Sequence, residues 1–181
     1  MKKKQLVITA IGALMVAGTA FAQAPFGEPD DVAYSKALWQ SLNKANLVGR
    51  AAHMSTPYIG QHPHGAILDT IDGFIRVEGD SGVVLVKRNY GGDGVSKTAV
   101  ADNPGKFLKA ITVMFKRSGY DAETRDWFWV KYNPDGSLAK NPAGMMLAGK
   151  VAKGKPKGCI ACHTSAPGDD LVYNSNADRY Q

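Results

Sequence analysis

Two cysteines and a histidine near the C-terminal end carry the clearest chemical signal in this sequence. They form the pattern Cys-x-x-Cys-His at Cys159, Cys162 and His163, and the 181 residues include no other cysteine. This pattern is the attachment signature of a c-type haem. The two thiols bond to the two vinyl groups of one porphyrin, and the adjacent histidine supplies the proximal nitrogen ligand of the iron. We therefore predict one covalently attached haem c, ligated by His163.

Three other kinds of site use the same cysteine spacing. A thioredoxin-like redox pair lies at a strand-to-helix turn with most of a βαβ domain after it, whereas only residues 164–181 follow the motif here. A disulfide across two residues closes a very small loop and stabilises little. A zinc site needs further ligands, and the sequence has no second Cys or His pair at zinc spacing. Haem attachment therefore fits the sequence best.

The N-terminal end has the features of a secretory signal peptide. Lys2–Lys4 are followed by an apolar segment at 6–17 and by Ala20-Phe21-Ala22, a small-x-small cleavage site. The apolar segment is shorter than the roughly 20 residues that span a bilayer, and no later segment is longer. We predict a signal peptide at residues 1–22, a single haem domain at 23–181, no membrane span and a periplasmic location, where bacteria attach haem to this motif.

The charge pattern does not indicate a nucleic-acid partner. The formal net charge is +6, but three of the lysines lie in the predicted signal peptide. The remaining basic residues are scattered and do not form a stripe with aromatic residues. A weakly basic face could steer an anionic redox partner, although an ordinary solvated surface explains it as well.

The elements that position the motif are predicted to be mostly β-strands. A helix is expected from Asp30 and Asp31, which would cap it, to about Leu47. A short helix is expected from Asn103 to about Lys109. Strands are predicted at 66–71, 74–78, 82–90, 111–116 and 127–132, with turns at 72–73, 78–82, 91–94 and 133–136. The fold class is α+β, a predominantly antiparallel β-sheet with a long N-terminal helix and short helices.

The strand at 82–90 contains a lysine in an apolar setting. Four consecutive aliphatic residues, 83–86, are typical of a strand covered on both faces. Because side chains alternate between faces, Lys87 shares a face with Val83 and Leu85 and lies opposite Arg88. Physics alone favours a lysine that reaches out to water. A functional pocket is the alternative, in which burial would lower the lysine's pKa.

The sequence does not supply an obvious second axial ligand for the iron. No methionine follows Cys162, and Met145-Met146 is as typical of core packing as of ligation. A sixth ligand is conceivable in His62-Pro63-His64-Gly65, but a surface turn is the interpretation we favour there. We therefore expect five-coordinate iron with an open distal face, which binds small diatomic and nitrogen compounds.

Three features together resemble the cytochrome P-460 and cytochrome c′-beta family: the strand Gly-Val-Val-Leu-Val-Lys at 82–87, Trp127-Phe128-Trp129, and the C-terminal Cys-x-x-Cys-His. The resemblance implies a mainly β homodimer with one five-coordinate c-haem. In the P-460 branch a lysine at the position of Lys87 is bonded to the porphyrin, and the enzyme oxidises hydroxylamine. In the c′-beta branch that bond is absent, apolar side chains cap the distal face, and the protein binds nitric oxide.

The resemblance thus implies a hydroxylamine oxidoreductase that passes electrons to a soluble cytochrome, or a non-catalytic NO- or CO-binding scavenger or sensor. Lys87 favours the first. A plain electron carrier, the third possibility, would need six-coordinate iron, with Met145, Met146 or His64 as the added ligand. Oxidation also requires a distal proton acceptor. The candidates for this base are Glu78, Glu123 and Asp126, and those for an apolar distal lid are Phe74, Met114 and Phe115, each equally typical of surface or core.

Overall fold

The computed structural model describes residues 26–167 and 169–173, so the predicted signal peptide lies outside the described residues. The described helices are α1 Pro29–Lys44, α2 Lys97–Asp102, α3 Pro104–Phe107 and α4 Cys159–His163, with one turn of 3₁₀ helix at Ala122–Thr124. The strands are β1 Tyr58–Ile59, β2 Ile67–Val77, β3 Asp80–Tyr90, β4 Leu108–Lys116, β5 Trp127–Tyr132 and β6 Ala148–Gly149. None of these helices is long and apolar enough to cross a membrane.

The six strands form one antiparallel sheet in the order β1-β2-β3-β4-β5-β6. Each strand therefore pairs with its neighbour in sequence, which is the arrangement of a meander. The prediction of an α+β fold built on a predominantly antiparallel sheet is confirmed.

Several predicted boundaries were wrong. Strand β2 runs unbroken through Asp72-Gly73, because every residue from Ile67 to Val77 pairs with β3 in one continuous register. The turn that follows is only Glu78-Gly79. Helix α1 begins at Pro29 and ends at Lys44, short of Leu47. Strands β1 and β6 and helix α2 were not predicted.

Helix α1 starts without a side-chain cap, in contrast to the predicted role of Asp30 and Asp31. Glu28 occupies the N-cap position, and the two aspartates lie in the first turn. They still place negative charge at the positive end of the helix dipole. Pro29 opens the helix, where its missing N–H costs nothing.

One face of the sheet packs against α1 and forms the main hydrophobic core. Leu38 and Leu42 of the helix are fully buried there against strand residues that include Val84, Val86 and Phe128. The hydroxyl of Tyr132 donates to the backbone oxygen of Ser35 of α1 (2.6 Å), which ties strand β5 to the helix. Alternation along the strands sends the intervening side chains to the opposite face.

A buried ion pair fixes the end of the hairpin made by β2 and β3. Asp69 is fully buried, and its carboxylate accepts hydrogen bonds from Arg88 (3.3 Å) and from the hydroxyl of Tyr90 (2.7 Å). The Arg88 guanidinium also donates to the backbone oxygens of Leu47 and His53. This network therefore holds the segment after α1 against the sheet.

Candidate haem site

Helix α4 places the three motif side chains on one face. Cys159, Cys162 and His163 stand at positions i, i+3 and i+4, which neighbour one another on a helix surface. Between them Ile160 is buried against Trp127 and other apolar residues of the sheet. The helix is thus anchored by its isoleucine and presents both thiols and the imidazole together.

The start of α4 depends on a glycine. Gly158 has φ 146, in the region that favours glycine, and a Cβ there would lie 2.2 Å from that of Ala152. The glycine lets the chain turn closely past residue 152 before the motif begins. No disulfide joins the two cysteines, and burial raises the pKa of the Cys159 thiol.

The motif side chains line a cavity of about 1180 Å³ between α4 and the face of the sheet opposite α1. Its volume exceeds the range of about 300–1,000 Å³ usual for small-molecule pockets. The sheet contributes alternate residues of strands β2 to β5, which include Thr70, Asp72, Val83, Leu85, Lys87, Asn89, Ala110, Thr112, Met114, Trp127, Trp129 and Lys131. The cavity therefore has room for a large planar ligand.

His163 is held with one ring nitrogen available. It is 8% exposed, and its Nδ1 lies 2.7 Å from the backbone oxygen of Leu171. A carbonyl can only accept, so Nδ1 carries the proton and Nε2 keeps its lone pair. The Trp129 and Tyr173 rings pack edge-on against the imidazole, with centroids 4.8 and 5.5 Å away. Burial lowers the pKa of His163, which favours the neutral form that binds metals.

Lys87 lines the same cavity as the motif. It pairs with Thr70 on β2 and Thr112 on β4, so it lies on a central strand of the cavity floor. Its positive charge acts on His163. Lys87 and the buried Arg88 lie on opposite faces of β3, as predicted from the alternation of side chains along the strand.

The comparisons with known proteins bear on this arrangement. A family model described as Cytochrome P460 matches residues 75–174, more than half of the chain. The chain belongs to the cytochrome P460 family. Neither a search of curated proteins nor one of solved structures gave a match. The matched segment includes Lys87 and the Cys-x-x-Cys-His motif and begins after His64.

Membership of the cytochrome P460 family indicates a c-type haem protein, and the cavity fits such a group. Trp129 is 3% exposed, and its indole N–H has no hydrogen-bond partner among the described residues, so a donor remains available beside the cavity. Three further lysines, at 109, 131 and 157, line the cavity and suit the two porphyrin propionates. Cys159, Cys162 and His163 are the donor set that c-type haem requires.

The three residues predicted to form a distal lid are separated by the structure. Met114 lies in the cavity wall, 8% exposed. Phe115 follows it on the same strand, so it faces the other way and is fully buried under α1. Phe74 does not line the cavity either; it is 72% exposed beside its strand partner Val83, which does. Only Met114 of this set is therefore near the motif.

The three carboxylates considered as a distal base also lie elsewhere. Glu123 is on the surface and pairs with Lys153 (2.9 Å). Asp126 accepts backbone hydrogen bonds within its own turn. Glu78 is exposed in the turn between β2 and β3. The floor carboxylate is instead Asp72, opposite Leu85 and one diagonal step from Lys87. Sequence reasoning missed it because the cross-strand register was not known.

The histidines of the 61–65 turn differ in burial, although both line the cavity. His62 is exposed, as a surface turn predicts, whereas His64 is half-buried. Its Nδ1 lies 2.9 Å from Oδ1 of Asn89, and its ring centroid is 6.4 Å from that of His163. Burial and the nearby charge of Lys87 lower the pKa of His64 to about 4. His64 is therefore a neutral cavity residue at neutral pH.

Proposed function

We propose that this protein is a periplasmic mono-haem c-type cytochrome that oxidises hydroxylamine and passes the electrons to a soluble cytochrome. The observation that carries the proposal is that Lys87 lines the same cavity as Cys159, Cys162 and His163. These four residues are the ones that the resemblance to the P-460 branch requires, and they come from strand β3 and helix α4, far apart in the chain.

The chain's own residues would divide the work as follows. Cys159 and Cys162 would hold the porphyrin by two thioether bonds, and Nε2 of His163 would ligate the iron. When bound, the haem would supply a site for the substrate nitrogen and an acceptor for its electrons. As the resemblance implies, Nζ of Lys87 on the cavity floor would be bonded to a carbon at the porphyrin edge. This N–C bond replaces one N–H and one C–H bond and releases two protons and two electrons, which the oxidised cytochrome partner would accept.

Removing electrons from hydroxylamine also requires that its protons go to a base. Asp72 is the carboxylate on the cavity floor that best suits this role, since it neighbours Leu85 and lies on the face that carries Lys87. It is also exposed, so a proton that it accepts can pass on to solvent. We expect Asp72→Asn to lower hydroxylamine-dependent electron release about 10²–10⁴-fold, the usual range for loss of a general base.

The test of the Lys87 bond is mass spectrometry of the haem-loaded protein after proteolysis. The peptide that contains Lys87 should be recovered joined to the haem peptide of Cys159 and Cys162. The variant Lys87→Arg should lose this joined peptide and reduce an oxidised cytochrome with hydroxylamine at least about tenfold more slowly, which is about 1.4 kcal/mol. Lys131→Arg is the matched control, because Lys131 also lines the cavity but lies two strands away, on β5. Two separable peptides in the unmodified protein would contradict this branch.

A second candidate function is the binding of NO or CO without turnover. It is favoured by the apolar side chains around Lys87 on the cavity floor, which include Val83, Leu85 and Met114. This function predicts an ordinary c-type spectrum, tight NO binding by the ferrous protein, and no cytochrome reduction when hydroxylamine is added. The two candidates therefore separate in one assay of electron release.

A homodimer is part of the proposal. Phe74 and Val83 are cross-strand partners, 72% and 44% exposed, and together form an apolar patch at the edge of the cavity. Large exposed apolar side chains in contact with each other are typical of an interaction surface. A second copy that covers this patch would also narrow the cavity mouth.

A further inference from the structure

His64 and His163 are far apart in the chain and meet at the cavity. Their ring centroids are 6.4 Å apart, and the ring planes are inclined by 84°. His64 is carried by the turn before β2, and His163 by the last turn of α4. The pair is thus assembled only by the tertiary fold, and both rings line one cavity.

The hydrogen bonds of Asn89 fix which nitrogen of His64 is protonated. The Asn89 side-chain amide donates to the backbone oxygens of Lys87 (3.0 Å) and Ala110 (3.2 Å). Both of these partners can only accept, so the NH₂ group must face them and Oδ1 must face His64. Nδ1 of His64 therefore donates to Asn89, and Nε2 is left with its lone pair.

A hydrogen bond at Nδ1 fixes the tautomer of His163 as well. Its Nδ1 donates to the backbone oxygen of Leu171, and its Nε2 is also the nitrogen left to bind a metal. An outer hydrogen bond at Nδ1 that fixes tautomer and ring orientation is the usual arrangement of histidines that ligate metals. Two histidines with this arrangement thus line a single cavity.

The separation of the rings matches two ligands of one metal ion. A histidine nitrogen lies about 2 Å from a bound metal ion and about 1.1 Å from its own ring centre, so two such rings on opposite sides would have centroids about 6.2 Å apart. The observed 6.4 Å agrees with this sum. Rings that both contain the metal–nitrogen axis can take any mutual inclination, so the angle of 84° is compatible too.

We propose that Nε2 of His64 is the sixth ligand of the haem iron in the resting protein, opposite His163. The inference rests on the proposed function for the haem itself, and it replaces the open distal face expected from the sequence. Hydroxylamine or NO must then displace His64 to reach the iron. The segment that matches the family model begins at residue 75, so His64 lies outside it.

The test is the spin state of the haem-loaded protein, measured by optical and electron paramagnetic resonance spectra. The ferric protein should be low-spin, and His64→Leu should make it high-spin while covalent haem content stays the same. Added imidazole should return the variant to low spin. His53→Leu is the matched control, because the His53 side chain is exposed and does not line the cavity, and it should stay low-spin.

Ligand binding gives a second measurement. If His64 occupies the iron in at least nine of ten molecules, its removal should raise the apparent affinity for imidazole about tenfold or more. High-spin unmodified protein with haem attached overturns the inference alone. A His64→Leu protein that stays low-spin also overturns it and assigns the ligand to Lys87 or Met114. Protein without covalently attached haem overturns the proposed function as well.

Discussion

Replacing Asp69 should strongly destabilise the protein, because it leaves the Arg88 guanidinium buried without its counterion. The Asp69 side chain is fully buried and that of Arg88 is 8% exposed. Removing one partner of such a pair costs about 3–5 kcal/mol, because the remaining charge stays out of water. For a domain of this size each kcal/mol lowers Tm by about 2–4 °C, so Asp69→Asn should lower it by about 6–20 °C.

The measurement is urea unfolding of the haem-loaded protein, followed by circular dichroism and extrapolated linearly to water. Glu123→Gln is the control, since Glu123 is 81% exposed in its pair with Lys153 and such pairs contribute about 0–1 kcal/mol. Combining Asp69→Leu with Arg88→Met should cost less than the sum of the single changes, because no charge is left buried. A loss below about 1 kcal/mol for Asp69→Asn would refute the reasoning.

Three further predictions follow from the structure. Asn89→Leu should release the His64 ring and give a mixture of low-spin and high-spin haem, with haem content unchanged, as measured by electron paramagnetic resonance. Phe74→Glu should convert a dimer to a monomer in light scattering after gel filtration; an unchanged mass would show that the patch is not the interface. Burial raises the pKa of Asp121, but the hydrogen bonds from Lys153 (2.6 Å) and Thr124 and the nearby lysine charges together outweigh it and hold the pKa below its ordinary value of 3.8. Lys153→Met should therefore cost about 1 kcal/mol at neutral pH. Chemical unfolding should show this loss shrinking as the pH falls below 3.8.

The sheet was predictable where pattern and pairing agree. Strand β5 has the predicted bounds, since six consecutive β-branched, aromatic or long side chains lie between turns. Strand β2 was predicted as two pieces because Asp72-Gly73 is typical of a turn. The ladder to β3 overrides that local preference, and a Cβ at Gly73 would meet only ordinary contacts. Glycine is tolerated at this position rather than required.

Short elements gave too little signal to be predicted. Strands β1 and β6 have two residues each, so no periodicity exists in them. Helix α2 did carry a signal that was overlooked, since Ser96 caps it by accepting a hydrogen bond from the N–H of Ala99 (3.1 Å). Its boundary was therefore within reach of the sequence.

In the candidate site, too, local features could be predicted from the sequence and long-range contacts could not. The spacing of the motif is a local property, so the shared face of Cys159, Cys162 and His163 could be derived from the sequence. Alternation alone could also have excluded one of Met114 and Phe115, because consecutive strand residues face opposite ways. The position of His64 could not be derived, because it depends on a contact with Asn89 across 25 positions of the chain.

Two consecutive cations on β3 show how the sheet separates stability from chemistry. Arg88 points to the α1 side, where the Asp69 carboxylate neutralises its charge and backbone oxygens after α1 accept its hydrogen bonds, and Lys87 points to the cavity. A shift of one residue in the pairing of β2 with β3 would exchange the two faces. It would bring Arg88 to the cavity floor and leave Asp69 without its partner. The ion pair between Asp69 and Arg88 therefore stabilises the site indirectly, because it opposes such a shift in register. The correct register keeps Lys87 and Asn89, the partner of His64, on the face of the sheet that lines the cavity.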